Sequence, residues 1–198
     1  MLLLRANNIK KSYHKNRVLK GISLTAESGK LIGIVGENGS GKSTLLKVLA
    51  GDIKADNGNV DVAGSIGYCP QRSIINKSLT IAEHIEFFKA AYQTKSMTYV
   101  DHLIDELRIH KYKNKQANTL SEGTLQKLNL ILALMSQPSI LLLDEPYQGF
   151  DWESYLKFWD LVEELKDDNR TIIVVSHLLF ERNKFDHIWQ LKSGRIEN

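Results

Sequence analysis

The stretch Leu31-Ile32-Gly33-Ile34-Val35-Gly36-Glu37-Asn38-Gly39-Ser40-Gly41-Lys42-Ser43-Thr44 decides how the remainder of the chain is read. A short apolar run, expected to be a strand over Leu31–Val35, ends in a glycine-rich turn and opens into a helix expected from Ser43 to about Ala50, where Gly51 stops it. Glycines at 36, 39 and 41 allow the backbone to curl until successive amides point inward, and the helix that follows adds the positive end of its dipole. Every fixed position of the phosphate-binding loop pattern is filled, in the strand–turn–helix setting the pattern requires. A triphosphate is the expected ligand. Lys42 can bridge its terminal phosphates, and the Ser43 hydroxyl can ligate Mg²⁺, a cation that prefers oxygen and keeps several waters. Glu37, Asn38, Ser40 and Thr44 complete the cradle.

Downstream, Ile140-Leu141-Leu142-Leu143-Asp144-Glu145 is an apolar strand that delivers two carboxylates at its carboxyl end, the edge where ligands of open α/β sheets bind. Adjacent acids can divide the work: Asp144 holds the shell of the metal, and Glu145 polarises an attacking water as general base. Together with the loop, the pair points to nucleoside triphosphate hydrolysis. Around these motifs short apolar runs alternate with longer amphipathic ones, the mark of α/β layers. Leu2–Ile9 and Val18–Ala26 read as an antiparallel pair turned at His14-Lys15-Asn16, and Asn59–Val62 and Ser65–Tyr68 as two short strands joined at Ala63-Gly64. A helix over Ser154–Leu165 precedes the apolar strand Thr171–Val175, and Ile188–Leu191 with Arg195-Ile196 form a last pair turned at Ser193-Gly194. Between them Ile81, Ile85, Phe88, Val100, Leu103, Ile104 and Leu107 recur at helical spacing, starting from Thr80 as N-cap with Glu83 as its capping-box partner. The expected fold class is therefore α/β: a P-loop NTPase with a mixed central sheet, an N-terminal antiparallel β region, and a helical sub-domain inserted at about residues 78–135.

The 198 residues are expected to form a single domain over 1–198, since no repeat or low-complexity linker divides them. With 42% hydrophobic and 25% charged residues, and only 3 Pro and 13 Gly, the composition excludes collagen-like and disordered classes. A formal charge of +3 without a polybasic block argues against nucleic acid as a direct partner. The longest apolar runs, Leu130–Met135, Ile140–Leu143 and Ile172–Val175, fall far short of the about 20 residues that cross a bilayer. Met1-Leu2-Leu3-Leu4-Arg5 is too short for a secretory segment, so a cytoplasmic protein is expected. The single Cys69 cannot form an internal bridge and reads as a small buried thiol. Trp152, Trp159 and Trp189 read as core or interface.

Essentially the whole chain resembles the ATP-binding subunits of ABC transporters, whose further motifs follow in order. Leu120-Ser121-Glu122-Gly123-Thr124-Leu125-Gln126-Lys127-Leu128 resembles the family's signature, which implies that Ser121 and Gly123 bind the γ-phosphate of ATP held by a second protomer. Glu122 stands where a second glycine is usual and Thr124 where a glutamine is usual, a single-glycine pattern also found in the branch with type-2 exporter permeases. Like charges repel, so the Glu122 carboxylate is expected to face away from phosphate. Tyr68-Cys69-Pro70-Gln71 resembles the glutamine loop, which makes Gln71 a contact of Mg²⁺ and of the attacking water. Ser176-His177 resembles the switch segment, in which His177 hydrogen-bonds the γ-phosphate and orients Glu145. Gln148-Gly149-Phe150-Asp151 stands in the place of the D-loop, with Gly149 for the usual alanine. Tyr13 occupies the place of an aromatic that stacks on adenine, with His14 as competitor.

The resemblance implies ATP and Mg²⁺ as cofactors and a homodimer or heterodimer closed around two nucleotides. It also implies a separate transmembrane permease, docked near Gln71 and the helical insertion, that keeps the chain at the inner face of the cell membrane. Hydrolysis would then power transport. Compact length and the single-glycine signature favour export, with an importer ATPase subunit or a soluble non-transport ABC ATPase as the alternatives. Family members that act in translation resemble two such domains in tandem, DNA-repair ATPases need a long coiled-coil insertion, and Glu145 with His177 argues against an inactive binding module.

Overall fold

The computed structural model describes residues 1–71, 74–94, 97–176 and 182–197. Along the chain come β1 (Leu2–Tyr13), β2 (Asn16–Glu27), β3 (Leu31–Val35), α1 (Lys42–Leu49), β4 (Asn57–Val62), β5 (Ile66–Cys69), α2 (Ile81–Tyr92), α3 (Thr98–Glu106), α4 (Glu122–Leu134), β6 (Ile140–Asp144), α5 (Trp152–Asp167), β7 (Thr171–Ser176), β8 (His187–Lys192) and β9 (Arg195–Glu197). Two sheets result: a three-stranded antiparallel one in the order β2-β1-β4, and a six-stranded mixed one in the order β5-β6-β7-β3-β8-β9. The first sheet begins as the expected hairpin, but β1 continues to Tyr13, paired with Asn16, and the turn narrows to His14-Lys15 with His14 left-handed.

The two short strands around Ala63-Gly64 do not pair with one another. β4, whose side chains are nearly all exposed, joins the edge of β1 with Leu4 opposite Val62, whereas β5 crosses to the mixed sheet and pairs with β6. The compositions fit the places the two strands take, since Asn-Gly-Asn-Val-Asp-Val suits a solvated edge and Ile-Gly-Tyr-Cys a half-buried strand, but they do not by themselves choose the sheet.

The parallel strands β3, β6 and β7 are apolar on both faces, as strands covered on two sides must be. Leu31, Leu141, Leu143, Ile172 and Val174 face a core built with α2, α3, α4 and α5. Their alternates Ile32, Ile34, Ile140, Leu142, Ile173 and Val175 face a second core, shared with α1 and the inner side of β1 and β2. Residues of the helical segment, among them Ile81, Ile85, Val100 and Leu103, belong to the first core together with Leu128 and Ile131 of α4. α2 opens with the full capping box: Glu83 N donates to Thr80 Oγ1 at 3.2 Å and Thr80 N to Glu83 Oε2 at 2.7 Å. α5 starts earlier than the apolar spacing suggests because the Asp151 carboxylate accepts from Ser154 N at 2.8 Å and caps it. Trp159 and Trp189 are buried, but Trp152 is 71% exposed and stacks on Tyr155, so it is no core residue.

Strands β5, β6, β7, β3 and β8 all run parallel. Their carboxyl ends therefore share one edge, where Val35 lies opposite Ser176 and Asp144 opposite Val175. Among the described residues no helix is long and apolar enough to cross a membrane.

Candidate active site

At the end of β3 the backbone turns through residues 36–41 before α1 begins. Two glycines are needed there for separate reasons. A Cβ on Gly36 would collide with the Leu191 carbonyl of β8, and Gly41 caps α1 at φ 109°, a left-handed conformation that side chains disfavour. No side chain caps α1 and no acidic residue lies in its first turn, so its first amides face the loop undisputed. Lys42 is only 8% exposed, and its ammonium donates to the carbonyls of Gly36 at 2.7 Å and Glu37 at 3.0 Å. The loop is thus wound around its own lysine. A cavity of about 570 Å³ beside it is lined by Tyr13, Asn38, Gly39, Gly41, Lys42, Ser43, Thr44 and Gln71. The β1–β2 hairpin thus brings an exposed Tyr13 to the phosphate loop, with Lys11 Nζ 5.8 Å from the ring centroid.

A second cavity of about 480 Å³ shares Ser43 and Gln71 with the first and adds Asp144, Tyr68, Lys47 and Asp52. Asp144 is 1% exposed at the end of β6, and Ser43 lines the same cavity. Burial, with the adjacent Glu145 charge, raises this carboxyl above its ordinary value, against the downward pull of Ser43, Lys42 and Lys47. Its Oδ1 is buried without a hydrogen-bond partner. An unmet anionic oxygen beside a serine hydroxyl and a glutamine amide suits Mg²⁺, which takes one or two carboxylates, keeps several waters and completes its shell with phosphate oxygens. No group of three or more His, Cys, Asp or Glu that could hold a metal occurs among the described residues, in keeping with such a site rather than an all-protein cage.

Glu145 follows in a left-handed turn at φ 50°, a conformation costing of order 1 kcal/mol that tends to persist at functional sites. Its amide donates to the Val175 carbonyl at 3.0 Å, and the Ser176 hydroxyl lies 3.3 Å from Oε2. Ser176 also lies close to the Tyr147 phenol, which burial pushes up to about 12. Tyr147 in turn packs on Tyr155 and Phe158. This backing for Glu145 has no sequence motif, because its members come from three separate segments. His177 lies outside the described residues. Gln71 is exposed, and the loop that carries it is held from α4 by Asn129, whose Nδ2 donates to the Pro70 carbonyl at 3.0 Å. Cys69 is fully buried, which raises its thiol well above the usual range and leaves it unreactive.

Ser121 and Gly123 are not brought to the phosphate loop of the same chain. They lie at the start of α4, where Ser121 accepts from Thr124 N at 3.3 Å and shares a 2.9 Å hydrogen bond with the Thr124 hydroxyl. Ser121 and Thr124 line another cavity, with Asp151 and Ser154. The backbone of Gly123 packs on Gly149, whose carbonyl occupies the space a Cβ on Gly123 would need. Gly149 itself has φ 77°, which accounts for glycine at that place. Glu122 is exposed.

The ABC transporter family profile matches residues 19–148. An ABC transporter ATP-binding protein of Methanocaldococcus jannaschii is 32% identical over 196 residues, covering 97% of this chain and 75% of that one. The ABC-type organic anion transporter ABCA8B of Mus musculus is 34% identical over 190 residues, covering 89% of this chain but only 12% of the mouse protein. Among solved structures, the ATP-binding subunit of an ABC transporter superposes with a TM-score of 0.90 at 23% identity, covering 99% of this chain and 88% of that one. With the profile extending from within β2 to the turn beyond Glu145, this chain belongs to the ABC transporter family and is one of its ATP-binding cassettes, an ABC ATPase.

Proposed function

We propose that the chain binds Mg-ATP at the shared carboxyl edge of β3 and β6, hydrolyses it in a dimer, and thereby drives a substrate outward through a separate membrane permease. The observation that carries this reading is the single cavity lined by Ser43 of the phosphate loop, Asp144 of the acidic strand end and Gln71, which brings the three together. The amides of residues 36–44 and the Lys42 ammonium hold the phosphates, and Tyr13 stacks on the base. Ser43, Asp144 and Gln71 would hold Mg²⁺, which would supply charge neutralisation at the phosphates. Glu145, fixed by its turn and by Ser176, accepts a proton from the attacking water, and His177 orients it toward the γ-phosphate.

Ser121 and Gly123 serve the nucleotide of the second protomer, homologous or identical, because within one chain Ser121 opens on a different cavity. The permease docks at the helical segment beside Gln71 and holds the cassette at the inner face of the cell membrane. The single-glycine signature around Gly123 supports outward transport. The experiment is a comparison of Glu145→Gln with the parent: retained binding of a fluorescent ATP analogue with loss of phosphate release is expected. Phosphate release at the parental rate would remove Glu145 from the role of base.

A further inference from the structure

The cavity beyond the phosphate loop contains two buried polar atoms that no described residue satisfies. One is Asp144 Oδ1, an acceptor, and the other is the Tyr68 hydroxyl, a donor and acceptor. Both residues line the same space, with Ser43 on its wall. Had they been in contact they would satisfy each other, yet each lacks a partner, so a gap separates them. Leaving both unmet would cost two desolvation penalties, whereas one water between them, or one water of a hydrated cation, relieves both at once. Tyr68 is held where it is by β5, whose Tyr68 lies in register with Leu142 of β6, two residues before Asp144. Burial and the Asp144 charge both raise its phenol, so it remains a protonated donor throughout the neutral range.

We propose that Tyr68 is a positioning residue for the metal: its hydroxyl holds a water of the Mg²⁺ hydration shell between itself and Asp144. The inference rests on the reading of Ser43 and Asp144 as the metal site. Mg²⁺ gives up its waters reluctantly and is bound largely through them, so a fixed hydrogen bond to one such water secures the ion without a direct ligand. Tyr68 does not line the cavity beside the phosphate loop, which is complete without it.

The test follows the affinity of a fluorescent ATP analogue for the full chain, in EDTA and across a Mg²⁺ titration. Tyr68→Phe should leave affinity in EDTA unchanged and raise the midpoint of the Mg²⁺ titration by about three- to tenfold, the size of one hydrogen bond. In an Asp144→Ala background the same substitution should have almost no effect, because the water has lost its second partner. An unshifted midpoint, additive effects in the double variant, or an equal loss with and without Mg²⁺ would each overturn the proposal. If the parent chain gained no affinity from Mg²⁺, the metal reading itself would fail; if the parent gained and Tyr68→Phe gained equally, the assignment of Tyr68 alone would.

Discussion

Two helices of this molecule point their N-termini at cavities, and they are finished in opposite ways. α1 is entered through a left-handed Gly41, with no side-chain cap and no acid in its first turn. α4 is entered through Ser121, whose hydroxyl already serves Thr124 N, and carries Glu122 in its first turn. The first leaves its amides for an incoming anion, while the second satisfies one of its own and places a negative charge nearby. An anion can therefore bind at α1 from one chain alone. At α4 an anion has to displace the Ser121–Thr124 bond first. The shorter helix is the more dependent on its ligand.

The largest effect expected on this contrast comes from Glu145→Gln, which leaves the open terminus of α1 intact. Phosphate release should fall by about a hundred- to ten-thousand-fold, the range of a lost general base, while equilibrium binding of an ATP analogue stays at the parental level. Lys42→Ala should instead weaken binding itself by roughly 10- to 100-fold, since a charged hydrogen bond to phosphate is removed. A titration showing parental affinity would mean that the α1 amides suffice alone.

Gly123→Ala probes the closed terminus: its Cβ would meet the Gly149 carbonyl, and the chain should unfold at lower denaturant, by about 1–3 kcal/mol. Unaltered stability would show that the D-loop yields to the signature at no cost. Ser121→Ala should cost about 1 kcal/mol of stability through the lost cap, read from the same denaturation curves. The smallest change is expected for Glu122→Gly, an exposed position at which ATP hydrolysis should remain level or rise modestly. A large fall, with circular dichroism unchanged, would give the carboxylate a role at this terminus.

What could be read from sequence alone was whatever a contiguous stretch dictates. The phosphate loop, the apolar strand carrying Asp144 and Glu145, and the capping box at Thr80 are local patterns, so the architecture followed from them and the candidate site could be named in advance. The parting of β4 from β5 was not legible, because the choice of sheet depends on which edge is free once the whole chain has folded. Nor were Tyr68, Ser176 and Tyr147, ordinary residues that matter only through neighbours brought to them by β6 and β7. The need for glycine at 149 was likewise hidden, since it arises from the close approach of Gly123 across the fold.

The phosphate loop is also braced from far along the chain. Gly194 N, in the turn between β8 and β9, donates to the Ser40 carbonyl at 3.2 Å, and Leu191 lies against Gly36. A chain made from its N-terminus carries the loop sequence long before it carries this brace. α1 can form locally within microseconds, whereas the contact with the last hairpin spans about 150 residues and is slow to close. Nucleotide capture thus reports on the completion of folding: only a chain whose final hairpin has joined the sheet presents a braced cradle to ATP.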